Sequence, residues 1–177
     1  MVAALAALTG AVQAQAAGDE PLYELVDAAT QRLLTADPVA ASKWLRGGPI
    51  NDPARVEQVL AAVAVNAESS GLPGEFVSEV FADQIDATEA VQYSRFSWWK
   101  LNPSAAPVWA PDLASSRSLI DGLNDRMVGE IAEQWAVLQS PDCAARLDIA
   151  KSSVAKDRNL DPLYRQALDA ATRSYCR

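Results

Sequence analysis

The 177-residue sequence contains no histidine. That removes the commonest metal ligand and the one side chain that ordinarily exchanges a proton near neutral pH. It also rules out Ser-His-Asp and Cys-His nucleophilic catalysis. Cysteine is nearly as scarce, with Cys143 and Cys176 alone, so a cysteine-rich metal centre is excluded as well. Positive charge is in short supply: 15 Lys and Arg stand against 23 Asp and Glu, for a net charge of −8. Chains that bind nucleic acid or anionic lipid present a basic face, so neither partner is expected. Strand-like alternation is missing, and β-branched runs are few.

What remains is a chain that is 50% hydrophobic and rich in alanine. Its length suits one domain with a real core, and its composition favours helix. The expected fold is all-α, a single-domain bundle of about six helices with a ligand site inside it. The first helical stretch runs from about Pro21 to Trp44, with Leu22, Leu25, Val26, Ala29 and Leu33 at helical spacing. Asp37-Pro38 interrupts it, as a kink or as a new cap with proline at N1. A second helix is expected from Asp52-Pro53 to Ser70, broken by Gly71-Leu72-Pro73-Gly74. A third covers Glu75 to Lys100, and an extended, proline-marked connector follows from Asn102 to Pro111. The fourth begins near Asp112 and includes Leu119, Leu123, Met127, Ile131 and Trp135. Two shorter helices, Cys143–Lys156 and Pro162–Tyr175, complete the chain.

Residues 2–16 are apolar, small and uncharged, and end in Ala14-Gln15-Ala16. This has the form of the apolar region and cleavage site of a secretory signal. Its basic leading region is missing, which leaves the true start codon open; the other reading is a mobile alanine-rich tail. Export would make residues 17–177 the mature domain, secreted or periplasmic. No later segment has a long uncharged apolar run, so no membrane partner is expected after cleavage. In an oxidising compartment the two cysteines would form one disulfide; two buried free thiols are the alternative.

Several polar residues sit at or near apolar helical faces. Arg32 and Lys43 lie 11 positions apart. At about 100° per residue they return to within about 20° of one face, about 16 Å apart along the axis. Arg55 opens the second helix and Arg117 the fourth. Gln84, Thr88 and Gln92 recur every four residues on the third, forming one polar stripe. Singly, each reads as an ordinary solvated side chain. Together they supply four cations and an uncharged stripe from four helices, and bundles build ligand sites where such faces converge. Buried cations require anions, which points to a small molecule bearing two carboxylates.

Certain segments carry a more specific signal. They are Glu24–Ala29, Ala36–Trp44, Arg55–Gln58, Phe81–Ile85, Ala87–Ala90, Tyr93–Pro103 and Ser116–Ser118, together with the late cysteine pair. In order and content they resemble the secreted, gamma subclass of all-α chorismate mutases, over nearly all of the mature chain. The resemblance implies that Arg32, Arg55 and Arg117 hold the two carboxylates of chorismate. Lys43 and Gln92 would donate to the ether oxygen of the breaking bond, and Thr88 would line the pocket. It implies no cofactor and no metal, a site completed within one chain, and subunits that in some relatives form a homodimer. One position departs. Relatives often carry Gln or Glu four residues after the arginine matched by Arg55, where this chain has Val59, which leaves contact with the substrate hydroxyl to Glu57, Gln58 or water. The competing reading is an exported helical binding or adaptor protein derived from a mutase fold.

Overall fold

Aspartate, proline and glycine divide the chain where local rules place its breaks. A computed structural model describes residues 20–176; the proposed signal segment lies outside the described residues. Among those residues the fold is all-helical. The helices are α1 (Tyr23–Leu34), α2 (Ala36–Arg46), α3 (Pro53–Ser69), α4 (Gly74–Leu101), α5 (Leu113–Glu133), α6 (Trp135–Leu138), α7 (Cys143–Asp157) and α8 (Pro162–Ala171). Asp52, Asp112 and Asp161 cap α3, α5 and α8, each accepting from a backbone N–H three residues on. Pro53 and Pro162 occupy the first helical position, where no N–H is needed. Gly71, at φ +75°, turns the chain out of α3.

Two stretches expected to be single helices are each divided. The first breaks at Thr35 rather than at Asp37-Pro38. Pro38 has no N–H to offer the Leu34 carbonyl, and its ring crowds that oxygen, so the disruption appears one turn upstream. The Thr35 hydroxyl donates to the Arg32 carbonyl at 2.7 Å and bridges the gap. The fourth breaks at Gln134, after which Trp135 meets the Phe76 ring edge-on at 5.0 Å. Leu119, expected on the apolar face of the fourth helix, is exposed, whereas Leu123, Met127 and Ile131 are buried. The last helix ends at Ala171, short of the expected Tyr175.

Helix α4 is the axis of the bundle and contacts α1, α2, α3 and α8. Its apolar face, Phe76, Val77, Val80, Phe81, Ala87 and Val91, joins α1, α5, α7 and α8 in one core. Near its C-terminal end Trp44, Phe96 and Trp99 form a separate aromatic cluster. Beside it the Arg46 guanidinium donates to the Pro111 carbonyl at 2.9 Å and holds the connector into α5. The specific Tyr93–Pro103 segment therefore encodes the seam between α4, α2 and this connector.

Cys143 and Cys176 are joined in a disulfide with Cα atoms 5.6 Å apart. The chain leaves the helix after Ala171, which brings Cys176 to the start of α7 and buries Tyr175. Cross-linking across 33 positions restricts the unfolded chain. Replacing both cysteines by serine is therefore expected to lower stability by about 3–4 kcal/mol, read from urea unfolding as a lower midpoint with a steeper slope, because the denatured chain without the cross-link exposes more surface. Intact mass of the native protein should gain two hydrogens on reduction; free thiols before reduction would overturn this.

Candidate active site

Arg32 closes α1 with its side chain directed inward because Leu25, Ala28, Ala29 and Leu33 bury that flank of the helix. It is 4% exposed. Its Nε donates to Asn124 Oδ1 at 2.7 Å, Nη1 reaches Gln84 Oε1 at 3.5 Å, and the guanidinium lies 5.6 Å from the Phe81 ring centroid. Among the described residues no carboxylate stands within ion-pair distance of it. Burial pulls its pKa down to about 10, which still leaves it charged at neutral pH.

The break at Thr35 is gentle enough to keep Arg32 and Lys43 on one side. They line a single pocket, together with Thr35 and Val39 between them. Lys43 is half-buried and its Nζ donates to the Ile50 carbonyl at 2.7 Å. Burial lowers its pKa, Glu89 and Asp52 oppose that shift, and Arg117 adds to it. The pocket encloses about 700 Å³ of empty space when its open mouth is counted. Of the seven polar residues singled out from the sequence, six, Arg32, Lys43, Arg55, Thr88, Gln92 and Arg117, line it, and Gln84 does not.

The outer cations differ from Arg32. Arg55 pairs with Asp121 and donates to Gln58 at 2.8 Å. Arg117, half-exposed, pairs with Asp52 at 3.4 Å. The polar stripe on α4 divides by depth. Gln84 lies behind the pocket and ties Arg32 to the Ala29 carbonyl. Thr88 and Gln92 face the cavity. Gln92 donates through Nε2 to the Thr88 carbonyl at 3.4 Å, and its buried Oε1 has no partner among the described residues. Four lining cations against the two lining carboxylates, Asp52 and Glu89, make the cavity positive inside a chain of net charge −8.

Residues 23–93 match the family chorismate mutase type II. A secreted chorismate mutase of Mycolicibacterium smegmatis is 55% identical, covering 98% of this chain and 97% of that protein. One of Mycobacterium tuberculosis is 53% identical, over 97% of this chain and 86% of its own. The crystal structure of a chorismate mutase from Burkholderia phymatum superposes with a TM-score of 0.85 at 33% identity, covering 92% of this chain and 99% of that one. This chain belongs to the chorismate mutase family.

In this mutase Val59 is buried and lines the pocket. Of the nearby groups that could replace a polar side chain there, Gln58 is engaged by Arg55, and Glu57 faces a separate groove shared with Leu60 and Ala61. The carboxylates that do reach the cavity are Asp52 and Glu89, the latter accepting from Asn51 Nδ2 at 3.2 Å. Sequence reasoning overlooked Asn124 as well. Its signal was present: asparagine is a poor mid-helix residue, and Asn124, Met127 and Ile131 recur on one helical face.

Proposed function

We propose that this mutase rearranges chorismate to prephenate in the pocket between α1, α2, α3, α4 and α5, with each lining cation in a defined role. The observation that carries the assignment is Arg32: a buried, charged guanidinium held only by neutral acceptors at the wall of a positive cavity. Such a group is costly unless an anion joins it, and a substrate carboxylate is that anion. Arg55 and Arg117 take the remaining carboxylate oxygens by exchanging Asp121 and Asp52. Partly exposed ion pairs of this kind are worth about 0–1 kcal/mol, so the exchange costs little.

With both carboxylates clamped, the flexible enolpyruvyl arm lies over the ring, an orientation effect. The ether C–O bond breaks as the new C–C bond forms, and negative charge grows on the ether oxygen. Lys43 and Gln92 donate to it. Their hydrogen bonds strengthen as the charge grows, and only such differential binding accelerates the step. Thr88 and Val59 shape the wall. Every assigned group comes from one chain, so the site is complete in a monomer, whether or not the protein pairs as a homodimer. Residues 17–177 form the mature domain after removal of 1–16. The chain is a secreted protein, as its relatives are named, and no described helix is long and apolar enough to cross a membrane.

The test is chorismate consumption by the purified protein, followed by ultraviolet absorbance, with prephenate as product. Binding without turnover would favour the adaptor reading, which the family and the named relatives do not favour. Within the site, Arg117→Ala should lower kcat/KM about a hundredfold, mostly through KM, because it removes a carboxylate fork made in ground and transition states alike. Unchanged KM would remove Arg117 from the site.

A further inference from the structure

The partners of Arg32 are two amides. Asn124, buried in the middle of α5, presents a carbonyl oxygen to Nε at 2.7 Å, and Gln84, fully buried on α4, presents another to Nη1 at 3.5 Å. A carboxylate at either place would hold the fork at least as firmly, since hydrogen bonds between ionised groups are the stronger ones. It would also neutralise the cation. Elsewhere in this protein arginines do take carboxylates: exposed Arg158 forks onto the buried Asp27, and half-buried Arg95 onto Asp37. Among the described residues the one arginine that faces the cavity from a buried position, Arg32, takes amides instead.

We infer that Asn124 and Gln84 are positioning residues that aim the Arg32 guanidinium while leaving its charge uncompensated for a substrate carboxylate. The inference rests on Arg32 binding substrate. It predicts an order of effects that a purely structural role reverses. Asparagine to aspartate preserves size and the acceptor at Nε, so a structural Asn124 would tolerate N124D and suffer from N124A. On the present reading N124A keeps the positive charge and raises KM only a few-fold. N124D raises KM at least tenfold with kcat nearly unchanged, because the internal carboxylate competes with the substrate's in ground and transition states alike.

The experiment is steady-state kinetics with chorismate on N124D, N124A and R32Q, with thermal unfolding of each. Expected are a KM for N124D well above that of N124A, and an N124D melting temperature no lower than that of N124A. Gln84→Glu, which brings the carboxylate from the opposite side, replaces N124D should that variant fail to fold, with the same KM rise expected. A wild-type KM in a folded N124D or Q84E protein, with R32Q impaired, overturns the inference and leaves the role of Arg32 standing. A wild-type KM in R32Q removes Arg32 from substrate binding, and the inference falls with it.

Discussion

Lys43→Ala is expected to lower kcat/KM about a thousandfold, nearly all of it in kcat, while helical content and melting temperature stay close to wild type. Lys43 is half-buried, bonded to a neutral carbonyl and free of any ion pair among the described residues. Its charge is therefore undivided when negative charge develops on the ether oxygen. Removing one preorganised donor from such a position typically costs 10²–10³ in rate, and the lost positive charge adds to that. The fold should survive because Lys43 contributes no core surface and the Ile50 carbonyl can turn to water. Lys43→Arg should rescue poorly, since the longer planar fork does not place one hydrogen at the same point. The wild-type alkaline limb gives a second readout. Burial lowers the Lys43 pKa, so activity should fall with rising pH sooner than an ordinary lysine would allow. Steady-state kinetics and circular dichroism decide the matter. A variant within tenfold of wild type would place the electrostatic work elsewhere.

Gln92→Glu is expected to convert a flat pH profile into a steep one. With no histidine in the chain, no group of ordinary pKa titrates in the site between about pH 5 and 8. The Gln92 amide donates at any pH, so wild-type kcat/KM should vary little across that window. A glutamate there donates only when protonated and repels the growing negative charge when ionised. The sign is therefore fixed: activity of the variant falls as pH rises through its carboxyl pKa, about tenfold per unit beyond it, and returns in acid. Desolvation at this buried position raises that pKa, while Lys43 would pull it down. The structural motive is the amide itself. Its Oε1 is buried without a partner among the described residues, and Nε2 spends one hydrogen on a long 3.4 Å contact. The unsatisfied atom is an acceptor and awaits a donor; what Gln92 offers the ether oxygen is the Nε2 hydrogen not spent on the Thr88 carbonyl. Rate profiles of both proteins in matched buffers provide the check; parallel profiles would show that Gln92 does not face the ether oxygen.

Much of the architecture was legible because it depends on neighbours a few positions apart. Asp52-Pro53, Gly71 and Asp161-Pro162 set helix ends through their own backbone restrictions, and the structure observes them. Pro38 misled by a turn because its consequence falls on the carbonyl four residues earlier. The exposure of Leu119 escaped notice because spacing identifies a face without saying how far the partner helix extends over it. In the site, the six lining residues could be named from pattern and resemblance, but their differences could not.

The sequence by itself determined the helical class, the positions of most breaks, the exclusion of histidine-dependent catalysis, and the family through motifs spread over the chain. The tertiary structure alone decided which cation is compensated. Arg55 and Arg117 find Asp121 and Asp52, 66 and 65 positions away, whereas Arg32 finds Asn124, 92 positions away. These pairings arise where α1, α3, α4 and α5 pack together, and no periodicity within one helix specifies them. The charge left over at Arg32 is thus a property of the packed bundle, because Coulomb interactions follow distance in space and burial removes the water that would otherwise equalise them.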